Sequence, residues 1–344
     1  MTNTDKTSLL ARSAAAAAVL AMAAKGRAAE KEDKFLADIK SDDADVRFAA
    51  WDIAGEMDPE VIPALSKLLA ADKPGVRKAA AEALNNIVHS VGKEVNPAGL
   101  RANAGRPDAL KQLDKRQQVV AKLLEVLAGK HDHAEKVGAL RHLSLIATTD
   151  DVPAIAKFVH DPKLREEAVF SLERIPGKTS EEALLNSLPD AAEDFKSRIL
   201  AALGHRRAEE AISACLDAMK SPDTTIAMAG MKASARIGIK TGGQTKLPDY
   251  DSLSEWQKIE YTDSLLRYAD AQAGQGNPED AAAIYQAALQ RDEGHWQCAA
   301  IIGLAKIGTA QAAAAIFPKL RSDDNTVRIT AQKAWGAMSE QPGG

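Results

Sequence analysis

The chain has 344 residues, of which 67 are alanine, while Phe, Trp and Tyr together make only 4 %. Alanine favours helix, and so few rings cannot fill a broad core, so a β-rich fold and a large aromatic-centred globule are both excluded. Forty-four Lys and Arg against 48 Asp and Glu leave a net charge of −4, which provides no general attraction to a phosphate backbone.

From the N-terminus, Lys6 and Arg12 precede an uncharged apolar run from Ser13 to Ala24, followed by small residues at Ala21-Met22-Ala23 and Gly26-Arg27-Ala28. This is the layout of a secretory signal over residues 1–28, and it predicts export to the periplasm; without cleavage there, the chain is cytoplasmic. No apolar stretch reaches the roughly 20 residues that span a bilayer, so no transmembrane segment is expected.

The body of the chain repeats. Val46, Val76, Val137, Leu164, Phe195, Ile226, Trp296 and Val327 follow one another at gaps of 30, 61, 27, 31, 31, 70 and 31 residues. One position on, five of eight residues are basic, among them Arg47, Arg77 and Arg328; four on, six of eight are Ala or Gly, as in Ala50, Ala80 and Gly230. Eight on stand Leu84, Leu145, Leu172, Leu203 and Leu304, with Ala54, Ser234 and Trp335 in the other units. Offsets 0, +4 and +8 share one helix stripe, with the small residue permitting close approach of a neighbour. Before each such helix come turn and cap residues (Ser41-Asp42-Asp43, Asp72-Lys73-Pro74, Ser221-Pro222-Asp223, Ser322-Asp323-Asp324) and, upstream, a shorter apolar helix opened by Pro63 or Pro153. Gly55, Gly204, Gly238 and Gly308 stand where second helices should close with a left-handed residue.

The predicted organisation is two repeats over 31–91, an insertion over 92–116 rich in Gly and Pro, four repeats over 117–238, and a loop over 239–253. Residues 254–338 then hold a helix, a helical hairpin and two last repeats, before a tail at 339–344. The helix from Leu253 to Ala273 is expected to replace a first helix of the array. Segments such as Ala44 to Ala50 and Pro74 to Ala80 resemble the HEAT repeat of bacterial HEAT-like, armadillo-type proteins, and 253–290 resembles one tetratricopeptide-like hairpin. The resemblance implies an all-α fold, a right-handed α-solenoid of about eight helix-turn-helix repeats. It also implies polar ladders between repeats, with Asp45 and Arg47, and Asp324 and Arg328, in the positions to form them.

Chemistry is sparse. Cys215 and Cys298 are far apart, in apolar helical contexts and without metal-spaced partners, so they read as buried thiols. His131-Asp132-His133 with Glu135 reads as a solvated turn, not a metal site, because residues two apart do not share a helix face. No His-Glu dipeptide occurs, which removes the iron-holding dyads of deoxyhypusine hydroxylase, a helical-repeat enzyme. Arg101, Arg106, Lys111, Lys115, Arg116 and Lys122 form a locally basic stretch without interleaved aromatics, so nucleic acid is not expected as a partner.

No catalytic, cofactor or metal residue is therefore assigned, and no cofactor is expected. The sequence predicts a non-enzymatic, monomeric module that holds a protein partner along the face of its second helices. A lyase of the bilin-attaching HEAT-like type is the alternative, and nucleic-acid binding a weaker one. Candidate contacts lying off the core stripe are Phe48, Trp51, Lys78, Glu82, Arg141, His142, Met228, Lys232, Gln332 and Lys333.

Overall fold

A computed structural model describes residues 26–27, 29–92, 107–238 and 250–339. Among them there is helix, turn and no strand, and no helix is long and apolar enough to cross a membrane. The expected leader, the bulk of the loop at 239–253 and nearly all of the tail at 339–344 fall outside the described residues. The chain divides into two compact units, one ending at Ile175 and the other beginning at Pro176.

The first unit contains α1 (29–39), α2 (Ala44–Asp52), α3 (Ile62–Leu68), α4 (Pro74–Gly92), α5 (Pro107–Ala128), α6 (His133–Ile146), α7 (Val152–Ala156) and α8 (Arg165–Arg174). The second contains α9 (Lys178–Ser187), α10 (Glu193–Arg206), α11 (Ile212–Ala218), α12 (Thr224–Ile237), α13 (Glu255–Gly274), α14 (Pro278–Ala288), α15 (Gly294–Ile307), α16 (Ala310–Ile316) and α17 (Asn325–Ser339). Each unit is a stack of helical hairpins of the α-solenoid class, with each second helix packing on the next: α2 on α4, α4 on α6 and α6 on α8, then α10 on α12 and α15 on α17. The insertion expected over 92–116 is shorter than that, because α5 already begins at Pro107, where a proline in the first turn costs no hydrogen bond.

The predicted stripe is largely the core, although its first anchor, Val46, is 37 % exposed. Ala50, Ala80, Ala168, Ala300 and Ala331 are buried at +4, and Leu84, Leu172, Leu203 and Leu304 at +8. Leucine at Ala50 or Ala80 should overpack these contacts and lower stability by about 1–3 kcal/mol in chemical denaturation; unchanged midpoints for both would show the stripe to be wrong.

The third repeat corrects the register. Arg141 and Leu145, expected at +4 and +8, are exposed, and Ala139 and Leu143 are buried in their place. The anchor is therefore Glu135, two residues before Val137, followed by the basic Lys136 that the pattern requires. Glu135 is buried at a position held by valine or isoleucine in other units, and its carboxylate is bonded to Nδ1 of His131 one turn back. The His131 turn is thus partly buried, not solvated, while Asp132 and His133 are exposed.

Three further expectations change. Gly238 (φ 83°) and Gly308 (φ 70°) close α12 and α15 in the left-handed region, their N–H groups bonded to the Ser234 and Leu304 carbonyls. Gly204 does not: α10 continues through it to Arg207 (φ 54°), and a Cβ at Gly204 would lie 2.7 Å from Ala233 Cα, so this glycine serves helix contact. Gly55 lies in a short 3-10 turn without positive φ.

The arginines do not build an Asp–Arg ladder either. Arg47 donates to the Ser41 and Asp42 carbonyls at 2.7 and 2.9 Å, Arg77 to Ala71 and Asp72, and Arg328 to Ser322, so each closes its own turn. Asp43, Asp223 and Asp324 cap the second helices through their carboxylates.

Finally, α13 does not replace a first helix. It packs lengthwise on α12 and so joins the row of second helices, filling the doubled gap between Ile226 and Trp296. A methionine-rich cluster of Met219, Met228, Met231, Leu253 and Tyr261 holds that junction together.

Candidate functional site: the open face of the second helices

On an α-helix, offsets +2 and +6 lie roughly opposite the 0/+4/+8 stripe, since each residue turns about 100°. With the stripe in the core, that face points away from the first helices. Among charged residues such as Asp52, Lys78, Glu166 and Lys333, it carries exposed large apolar ones: Phe48 is 57 % exposed, Phe170 40 %, Ile302 48 % and Ile329 41 %. Every one of these sits at +2 or +6 of its repeat.

The ten residues expected at the partner surface divide. Phe48, Lys78, Arg141, Gln332 and Lys333 are exposed, and Trp51, Glu82 and Lys232 are half-buried. Phe48 and Trp51 pack edge to face with centroids 5.3 Å apart, and Arg141 donates to Glu167 Oε1 at 2.6 Å. His142 and Met228 are buried. The corrected anchor explains His142: counted from Glu135 it is at +7, on the core side of the helix. Its Nε2–H donates to Asn85 Oδ1 at 3.1 Å, and burial first, then the charge of His89, pushes its pKa down to about 4. Met228 is covered by α13, which the sequence did not place there.

In the second unit the face deepens into a trough of about 140 Å³ along α10, α12 and α13. Ser197 and Ala201 line it from α10, Thr225, Met228, Ala229 and Lys232 from α12, and Trp256, Gln257, Glu260 and Ser264 from α13. Met228 and Lys232 are thus brought together, as +2 and +6 of one repeat, with Ser197 and Ala201 at the same offsets of the repeat before. Lys232 is ion-paired with Glu260. Phe170, Ile302 and Ile329 were missed, although the same offsets from their anchors point to them. Trp256 could not be found that way, because α13 has no apolar anchor at the repeat spacing.

The groups suggestive of other chemistry are engaged structurally. In the basic stretch, Lys115 donates to the Gly55 carbonyl at 2.7 Å, Arg116 to the Ile146 carbonyl at 2.7 Å, and Lys122 pairs with Glu60 at 2.9 Å. Arg101 and Arg106 lie outside the described residues. Cys215 is a buried free thiol whose pKa burial pushes up to about 12, and Cys298 is a half-buried free thiol. Among the described residues, no group of three or more His, Cys, Asp and Glu side chains could hold a metal ion.

The family model for HEAT repeats matches residues 32–113. No curated protein matches the chain. Among solved structures, an engineered protein is similar at 16 % identity over 90 % of this chain and 99 % of its own, with a TM-score of 0.40. Human deoxyhypusine hydroxylase is similar at 16 % identity over 68 % of this chain and all of its own, with a TM-score of 0.36. Kap121p is similar at 13 % identity over 91 % of this chain and 41 % of its own, with a TM-score of 0.43. Likenesses at this level of identity and superposition transfer no activity. Residues 32–113 thus carry HEAT repeats, and both units are built from stacked helical hairpins.

Proposed function

We propose that the chain is a scaffold that binds a protein partner with the open face of its second helices. The observation that carries this reading is the recurrence of exposed large apolar residues on one side of the second helices, at offsets +2 and +6: Phe48, Phe170, Ile302 and Ile329. Single exposed apolar residues are ordinary on any surface, whereas recurrence on the same side of second helices gives each unit two such anchors. Large apolar anchors at an interface centre carry much of its energy, and the polar and charged neighbours Lys78, Glu82, Arg141, Gln332 and Lys333 would form the rim.

Replacing Phe48, Phe170, Ile302 and Ile329 by Asp together should leave the helical circular dichroism intact. The same change should abolish capture of the native partner from an extract of the source cells. A folded variant that captures the same proteins as the parent would overturn the reading.

A further inference from the structure

We infer that the trough over α12 receives the apolar face of a short amphipathic helix from the partner. The inference rests on the scaffold reading and narrows it to one place and one chemistry.

Three observations lead to a helix. First, the trough is walled by helices and lined by side chains, so it offers no row of free backbone N–H and C=O groups. An extended peptide would leave its own backbone unpaired against apolar walls, whereas a helix satisfies its backbone internally. Second, the length fits. Thr225 to Lys232 covers about 10 Å at 1.5 Å per residue, or two helical turns, and the Lys232–Glu260 pair bridges α12 and α13 at that end. Third, about 140 Å³ equals the space of four to five waters at about 30 Å³ each, too little for a helix but enough for one or two aliphatic side chains. The occupant therefore lies across the opening and inserts residues spaced i and i+3 or i+4.

Electrostatics select the character of those residues. The two charged side chains that line the trough, Lys232 and Glu260, are paired with each other. A charged insert would lose its water without gaining a counter-ion, so the complement of this neutral trough is apolar. Trp256, 66 % exposed, and Ile259 extend the α13 wall above the rim, where they would cover the sides of a docked helix.

Random 16-residue peptides displayed as a library and selected on the full chain would test this. The expected binders carry Leu, Ile, Met or Phe at i and i+3 or i+4 and gain helical circular dichroism on binding. They should lose at least tenfold in affinity to Ala229→Glu and to Trp256→Ala, the latter an exposed position whose truncation keeps the fold. Binders that stay extended, or that are indifferent to Trp256→Ala, would overturn the inference, as would a library that yields none. Binders indifferent at Trp256 but lost with Phe48→Asp or Phe170→Asp would remove the trough alone and leave the scaffold reading standing.

Discussion

Gly303→Ala should lower the stability of the second unit by about 3 kcal/mol, although it adds a single methyl group. A Cβ at this position of α15 would lie 2.3 Å from Cζ and 2.4 Å from Cε1 of Tyr285, well inside van der Waals contact. The ring cannot step aside cheaply. It is buried in the core formed with Ala269, Ala281, Leu304 and Ala331, and its hydroxyl donates to Asp270 Oδ1 at 2.7 Å. Moving it would break that bond and open a void elsewhere in a core built largely of small residues. Urea unfolding of the variant measures the loss, and a second change isolates its cause. In a Tyr285→Leu background, itself destabilised, the added methyl should cost far less than it does alone, because the two sites share one contact. Additive losses would mean that Gly303 matters for a reason other than the ring.

The same dependence on small residues explains how much of this fold was legible. Val76, Ala80 and Leu84 sit in a pattern that repeats because helix must approach helix at each hairpin, and the Asp and Arg of each turn recur because every turn has the same orphan backbone groups to satisfy. The third repeat was misread by two residues because Glu135 occupies the apolar slot, made tolerable by its bond to His131. The helix α13 was expected, but its place in the row of second helices escaped for a related reason. Its buried side includes Thr262 and Ser264, whose hydroxyls donate to the Lys258 and Glu260 carbonyls at 2.9 and 2.7 Å. Hydroxyls bonded back to their own helix can be buried without cost to the core, and they erase the apolar stripe from the sequence. The outward side of the second helices was legible at Phe48 and Lys78. The reading failed at His142, where the anchor was wrong, and at Met228, which α13 covers from a position the sequence did not assign it.

Acidification should weaken the first unit through His142, and the loss should begin well above the range in which surface carboxylates are protonated. The Nε2–H is engaged by Asn85, while Nδ1 is buried without a hydrogen-bond partner, so a proton arriving there is kept from water and the backbone of Gly138 offsets only part of the cost. Burial, reinforced by the positive charge of His89, holds the pKa at about 4 against an ordinary 6.5. The direction follows from linkage. The unfolded chain takes up the proton near pH 6.5 and the native state near 4, so between these values the unfolded state binds more protons. Stability is fully present above pH 6.5 and falls as the pH drops toward 4. At 1.36 kcal/mol per unit, the whole effect is about 3 kcal/mol. His142→Gln retains an amide donor for Asn85 and has nothing to titrate. Urea unfolding at pH 7, 5 and 4 should therefore show the parent losing stability over this range more steeply than the variant, by about 1.4 kcal/mol per pH unit. Parallel pH profiles would mean that the imidazole reaches water or an acceptor when protonated, and that the α4–α6 contact is looser than its burial implies.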